Sequence, residues 1–303
     1  MNIIGIIDIG SNTIHLDVIQ VRGHSLNNLL SHGAVIKLGI YLSQRDGIPR
    51  AKIIEAAKIV KRFKYIAKVH GAEKVVVFAT SILRKVAHRE AVVRAIEKES
   101  GLIIDVISPL RELICLEYAG RKFTSLKNGP ILLVDIGGGS TEFVLFSERT
   151  TFLRKSYSYG LAYVKGKYNV TTFSDNAIRE KLVTFFDTKL QLFKKACGRR
   201  SIGRIIGTSS VIKTMSLLKY GNLTTSKDAR KRKITYSDLI VLQKKFIQDP
   251  QSIQLSPERK DLVFMGTFFF IALLKITKKS FLEIGPYSVR EGYLLRYGNV
   301  LEL

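Results

Sequence analysis

The chain has 303 residues, 49 of them Lys or Arg against 25 Asp or Glu, for a formal net charge of +24. Its length suits about two domains, and a hydrophobic fraction of 46% excludes a disordered basic tail. A folded chain with this much uncompensated positive charge draws polyanions: nucleic acid, anionic lipid or polyphosphate.

Ile3–Ile7 is a continuous β-favouring run that ends at Asp8 and meets the turn cluster Gly10-Ser11-Asn12-Thr13, after which Ile14–Val21 reads as the return strand of a hairpin. The apolar run at the start carries Asp8 and lacks a basic leader, which makes it a poor secretion signal. Val35–Leu38 is expected as a short strand. Apolar residues at 53, 54, 57, 60, 63, 66 and 67, with Lys and Arg between them, predict an amphipathic helix over Ala51–Val69. A buried strand at Lys74–Phe78, a helix at Ala87–Lys98 ended by Gly101, a strand at Leu102–Ile107 and a helix at Glu112–Tyr118 follow.

The pattern then restarts. Lys127-Asn128-Gly129-Pro130 is a turn signal, and Pro130–Val134 leads into Asp135 as Ile3–Ile7 leads into Asp8. IIGIIDIGSNTIHLDVI and ILLVDIGGGSTEFVLF share one plan: apolar strand, Asp-Ile-Gly, small polar cluster, second strand. The duplication implies two similar domains facing each other, with a cleft between the Asp-bearing turns. The expected boundaries are 1–119 and 120–287, with a C-terminal helix over about 288–303 packing back on the first domain. Further elements are helices at Asn176–Lys195, Tyr236–Ile247 and Glu258–Lys275, and a strand at Ile202–Ile206 before the turn Gly207-Thr208-Ser209-Ser210.

The 13-residue run Leu262–Leu274 is too short to span a bilayer, which takes about 18 apolar residues, and reads as a core helix. Cys115 and Cys197 form no framework, in keeping with a reducing cytoplasm, and the five His residues are scattered, so none suggests a metal site. Charge divides unevenly: residues 1–118 hold 17 basic and 11 acidic residues, a net +6, and residues 119–303 hold 32 and 14, a net +18.

A Gly/Ser/Thr turn between two strands offers consecutive backbone N–H groups to an anion. Gly137, Gly138, Gly139, Ser140 and Thr141 form one such turn, whose glycines are expected to permit positive φ and close phosphate approach. Ser11, Asn12 and Thr13 belong to its counterpart. Asp8 and Asp135, ending the preceding strands, could hold Mg²⁺, an ion that takes few carboxylates plus phosphate oxygens. Glu142 is a candidate for activating water.

On these residues the chain resembles the exopolyphosphatase / guanosine pentaphosphate phosphohydrolase family. Asp8–Asn12 is similar to that family's opening Asp-Ile-Gly-Ser-Asn turn, Ala79-Thr80-Ser81-Ile82-Leu83-Arg84 to its Ala-Thr-Ser-x-Leu-Arg element, and Asp135–Glu142 to its Asp-Ile-Gly-Gly-Gly-Ser-Thr-Glu block. Weaker echoes are Gly160-Leu161-Ala162, Glu258-Arg259-Lys260-Asp261 and Val289-Arg290-Glu291-Gly292. The resemblance spans nearly the whole chain, as a short two-domain form, and implies an α/β fold of two ribonuclease H-like domains of the actin, sugar kinase and heat-shock ATPase type.

It also implies roles. Arg84 resembles the arginine that grips a substrate phosphate, Asp8 and Asp135 the metal-associated acids, and Glu142 the glutamate that positions water. A second catalytic glutamate falls in the segment Ile107–Leu113. Counting forward from Ile107 places Glu112 there; counting back from Tyr118 and Gly120 places Leu113 there; only the forward count supplies a carboxylate. Several positions depart from the family pattern: Pro109 for Gly, Arg111 for an acid, His15 for Arg, His88 for Asn, and Ser209-Ser210 for the Gly-Gly of the third loop, Gly207–Ser210. These count against full activity and against tight guanosine recognition.

The expected reaction is Mg²⁺-assisted hydrolysis of terminal phosphates from inorganic polyphosphate. The basic clusters Lys194-Lys195, Arg199-Arg200-Arg204 and Arg230-Lys231-Arg232-Lys233 would track the chain. The alternatives are guanosine pentaphosphate hydrolysis and a catalytically weakened polyphosphate-binding or sensing protein. No nucleic-acid-binding signature accompanies the charge, no membrane partner is expected, and a homodimer would extend the basic track although nothing in the sequence shows one.

Overall fold

Each apolar run that ends in Asp becomes the central strand of a sheet, because both of its faces are covered. The computed structural model describes residues 2–23, 25–41, 47–126, 129–170, 172–221 and 232–297. The expected turn at Lys127-Asn128, His24 and the basic residues Arg230 and Lys231 lie outside them.

The chain divides into two compact units, Met1–Ala119 with Val289–Leu303, and Gly120–Ser288. In the first unit, β1 (Asn2–Ile9) pairs antiparallel with β2 (Thr13–Arg22) and β2 with β3 (Ser25–Val35). On its other side β1 runs parallel to β4 (Lys74–Ala79), and β4 to β5 (Ile104–Val106), giving the order β3-β2-β1-β4-β5. Helix α1 (Arg50–Val69) buries Ala56, Ala57, Val60, Phe63 and Ala67 against this sheet and leaves its Lys-rich face in water. The short α2 (Ser81–Lys85) and α3 (Arg89–Ser100) follow β4, and α4 (Pro109–Phe123) follows β5.

One sequence expectation fails here and one element is not anticipated. Val35–Leu38 is not a separate strand: Val35 ends β3, and Leu38–Tyr41 forms a 3-10 turn. β3 itself escapes the pattern because SLNNLLSHGAV is mostly exposed and carries no alternation of polarity.

The second unit repeats the plan. β6 (Ile131–Ile136) pairs antiparallel with β7 (Thr141–Phe146), β7 with β8 (Thr151–Tyr157), and β6 runs parallel to β9 (Arg204–Gly207). β11 (Phe281–Ile284) continues the sheet beside β9, and β10 (Lys233–Thr235) adds an edge strand. Its helices are α5 (Leu161–Tyr168), α6 (Asn176–Cys197), α7 (Ser210–Tyr220), α8 (Tyr236–Gln248) and α9 (Pro257–Thr277). Every residue of α9 from Val263 to Leu274 is buried, with α5, α6, α7 and α8 packed around it. A helix apolar on all sides is a core helix, and no helix among the described residues is long and apolar enough to cross a membrane.

The last helix, α10 (Val289–Tyr297), belongs to the first unit. A Cβ on Gly292 would lie 1.9 Å from the carbonyl oxygen of Cys115, so glycine alone lets α10 seat on α4. Arg290 Nε sits 3.0 Å from the buried Asp17 Oδ2, and the Tyr293 hydroxyl donates to Asp105 Oδ2 at 2.8 Å. Arg-Glu-Gly near the C-terminus is thus a docking motif.

Candidate active site

The two duplicated turns share a construction. In each, the N–H of the first glycine donates to a carbonyl three residues on: Gly10 to Thr13 at 3.1 Å, Gly137 to Ser140 at 2.9 Å. The carbonyls of each turn are then tied backwards. Leu161 N–H donates to Gly137 O at 2.9 Å, and Ala162 and Tyr163 N–H donate to Gly138 O at 2.9 and 3.1 Å. In a trans peptide the N–H opposes the C=O. Anchoring the Gly137 and Gly138 carbonyls on the N-terminus of α5 therefore turns the N–H groups of Gly138 and Gly139 to the other side. In the first unit, Gly39 N–H holds Ser11 O at 2.6 Å, and Ile36 and Lys37 N–H hold Asn12 O at 2.9 and 3.1 Å, so the N–H groups of Asn12 and Thr13 are turned away in the same manner.

The expected reason for the glycines needs correction. None of Gly137, Gly138 and Gly139 is among the residues with positive φ. The steric demand comes from Gly160, where a Cβ would lie 2.5 Å from Gly137 O. The echo Gly160-Leu161-Ala162 is the strap behind the turn, and Thr141 Oγ1 reinforces it by donating to Tyr159 O at 2.6 Å.

Asp135 and Glu142 stand directly opposite each other across β6 and β7, on one face of the sheet, where cross-strand Cβ atoms lie about 5 Å apart. Glu142 is only 2% exposed and accepts from Ser156 Oγ at 2.9 Å; Asp135 Oδ2 accepts from Thr208 Oγ1 at 2.7 Å. In the first unit the same register puts His15 opposite Asp8. Among the described residues no three His, Cys, Asp or Glu side chains gather into a metal cage. Two facing carboxylates repel, however, and a hard cation that keeps waters and phosphate oxygens needs only one or two. The donor chemistry at Asp135 and Glu142 fits Mg²⁺ on those terms.

Arg84, in the last turn of α2, donates from Nη1 to Glu112 Oε2 at 2.7 Å and to Ile107 O at 2.8 Å; the two side chains are 11% and 8% exposed. Of the two residues that counting left open, Glu112 meets this arginine and Leu113 is a buried apolar side chain.

The departures in this region have structural reasons. Pro109 opens α4, where proline is favoured because the N–H is unused, and Ser108 Oγ accepts from Arg111 N–H at 3.2 Å as the cap. Arg111 makes a two-pronged bond to Asp105 at 2.8 and 2.7 Å, with its guanidinium 4.5 Å from the centre of the Tyr297 ring. His88 has a left-handed φ of 53°, a conformation in which Asn and His are both enriched. Ser209 turns its side chain away from the third loop to cap α7, its Oγ accepting from Ile212 N–H at 3.4 Å, while Ser210 is exposed.

Not every predicted basic residue is open to a ligand. Arg204 is held by both carboxylate oxygens of Glu283 at 2.9 and 2.5 Å, Arg200 caps α6 through Cys197 O at 3.0 Å, and Lys233 lies 4.1 Å over the Phe281 ring. Lys194, Lys195 and Arg199 are exposed. Sequence reasoning missed Ser156 and the Ile107 carbonyl, which reach Glu142 and Arg84 from other segments and belong to no local pattern.

The Ppx/GppA phosphatase family matches residues 18–299. The chain is 22% identical over 302 residues to exopolyphosphatase 1 of Mycobacterium leprae, covering 97% of this chain and 88% of that one. It is 23% identical over 212 residues to the guanosine-5'-triphosphate,3'-diphosphate pyrophosphatase of Aeromonas hydrophila, covering 69% and 42%. Its fold is similar to that of an exopolyphosphatase from Cytophaga hutchinsonii, with TM-score 0.85, 21% identity and coverage of 99% and 98%. It is also similar to the Ppx/GppA member of Aquifex aeolicus, with TM-score 0.78, 22% identity and the same coverage. The duplicated sheet order, with helices covering each sheet, is the two-domain ribonuclease H-like α/β fold of these structures. The chain belongs to the Ppx/GppA phosphatase family and is a hydrolase of phosphoric anhydrides.

Proposed function

We propose that the chain is an exopolyphosphatase, releasing orthophosphate from the ends of inorganic polyphosphate. The observation that carries this reading is the pairing of Asp135 and Glu142 beside a turn whose N–H groups are fixed by α5. The turn N–H groups of Gly138 and Gly139 donate to phosphoryl oxygens in the second unit, those of Asn12 and Thr13 offer a second such set in the first, and Arg84 orients a phosphate there. Glu142, held by Ser156, is the candidate base of the second unit for aligning water and taking its proton, and Glu112 that of the first. Water oxygen bonds to the terminal phosphorus as the bridging P–O bond breaks, and the shortened chain leaves with the electron pair of that bond. Asp135 would hold Mg²⁺, which supplies charge neutralisation when bound, and Asp8 is the corresponding acid of the first unit. The net +18 of residues 119–303 favours a long inorganic polyanion over a single nucleotide.

The test is orthophosphate release with Mg²⁺ from long-chain polyphosphate and from guanosine pentaphosphate, for the natural chain and Glu142→Gln. Polyphosphate is expected to turn over faster, and Glu142→Gln to lose about a thousandfold in kcat. Faster release from guanosine pentaphosphate would reassign the substrate; no release from either, with polyphosphate still bound tightly, would make the chain a binding or sensing protein.

A further inference from the structure

The residue that grips phosphate and the residue that activates water are bonded to each other. Arg84 Nη1 has two hydrogens, and both are committed, one to Glu112 Oε2 at 2.7 Å and one to the Ile107 carbonyl at 2.8 Å. The pair is nearly out of water, at 11% and 8% exposure. A carboxylate and a phosphoryl group on one guanidinium in such a place repel each other strongly, since little solvent screens them. The two ends of Arg84 are not equally held. Ile107 O is a neutral backbone anchor that follows β5, whereas Glu112 is a charged side chain in the first turn of α4, joined to Arg84 through side-chain atoms alone.

We propose that Arg84 and Glu112 form an exchangeable pair: a phosphoryl oxyanion displaces the Glu112 carboxylate from the guanidinium, and Ile107 keeps Arg84 in place meanwhile. This rests on the reading of Arg84 as the phosphate-gripping residue, and it adds a coupling to that reading. While it is bonded to Arg84, Glu112 has its charge satisfied and is a weak proton acceptor. Once displaced, it loses the compensating charge of Arg84 and becomes a stronger one. Water is therefore activated only when phosphate is present, and an idle site stays quiet.

The exchange has a thermodynamic signature. If Glu112 competes with phosphate for Arg84, removing its charge must tighten oxyanion binding, and must do so only while Arg84 is there. Tripolyphosphate binding would be measured by calorimetry in a Glu142→Gln background, so that turnover does not consume the ligand. Adding Glu112→Gln is expected to tighten binding at least about tenfold, the factor one charge-assisted hydrogen bond carries. Repeating the pair of measurements with Arg84→Met should abolish that gain, closing a double-mutant cycle. An unchanged affinity in the first comparison overturns the exchange. A gain that survives Arg84→Met also overturns it, because the carboxylate would then act only as a distant like charge.

Should Arg84→Met fold poorly, Arg84→Lys keeps the cation, and the unmodified chain supplies a second readout. Guanidinium resonances assigned to Arg84 by their loss in Arg84→Lys should shift on addition of orthophosphate, together with the Glu112 carboxylate carbon; a static Glu112 carbon overturns the proposal. These are binding measurements, so they stand or fall separately from whether the natural chain releases orthophosphate.

Discussion

Thr208 and Ser156 each direct a hydroxyl at one carboxylate of a facing pair, Asp135 at 2.7 Å and Glu142 at 2.9 Å. Such partners orient ligands rather than touch the reacting atoms. Thr208→Val keeps the shape and removes the hydroxyl, so the Mg²⁺ concentration for half-maximal activity should rise about tenfold; a titration of activity against Mg²⁺ checks this, and an unchanged midpoint would show that Asp135 is oriented otherwise. The cysteines make a simpler prediction. Burial pushes the Cys115 thiol up to about 12 and also raises Cys197, so both should resist iodoacetamide at pH 8 in the folded chain and react together with denaturant-induced unfolding. Rapid alkylation of the native chain would contradict that. At this scale the sequence was readable where chemistry clusters in consecutive residues, as at Asp8–Thr13 and Asp135–Glu142. Ser156 was not readable, because a lone serine on β8 acquires its meaning only from the β7/β8 register.

Elements are held by a few positions whose replacement has calculable direction. α8 begins with a reciprocal cap: Thr235 Oγ1 accepts from Asp238 N–H at 3.1 Å, and Asp238 Oδ2 accepts from Thr235 N–H at 2.7 Å. Thr235→Ala should cost about 1 kcal/mol of stability, read from chemical denaturation. Burial works to raise the Asp238 carboxyl, but the hydrogen bonds from Lys219 and Thr235 outweigh it and hold it below its ordinary value. Its contribution is therefore fully present above the unfolded value near 4 and lost as pH falls through the lower folded one; the acid limb of the stability profile should flatten in Asp238→Asn. Gly292→Ala forces a Cβ into the Cys115 carbonyl, and should lower the stability of the first unit by about 3 kcal/mol. Calorimetry that shows no change would mean α10 can back away from α4 at no cost. Amphipathic α1 and all-apolar α9 were legible from period and length alone. β3 and α5 were not, since an exposed edge strand and an eight-residue helix carry too little pattern.

On the scale of the whole molecule, two sheets with one shared strand order carry a net charge of +24. The internal repeat in the sequence was enough to anticipate the duplicated sheet, because both hairpins keep the same apolar-strand-then-Asp grammar; the edge strand β10 has no counterpart in the first unit and left no such trace. Net charge of this size acts over roughly the Debye length, about 8 Å at physiological salt. Raising salt from 50 to 300 mM should therefore raise KM for long-chain polyphosphate several-fold and change kcat little, with a smaller effect on tripolyphosphate. Equal salt effects on both lengths would assign the basic surface no part in holding the chain.

The placement of α10 in the first unit has a consequence for how the protein is made. Gly120–Ser288 is one continuous stretch, whereas the unit that opens the chain is completed by Val289 onward. On the ribosome, at about 5–20 residues per second, the second unit has all its residues before the first does. The buried Asp17 waits for Arg290, and the Cys115 carbonyl for Gly292, until α10 has been made. Maturation is thus last-in, first-closed: a nascent chain stalled before Val289 would carry a finished second unit and an unsealed first one.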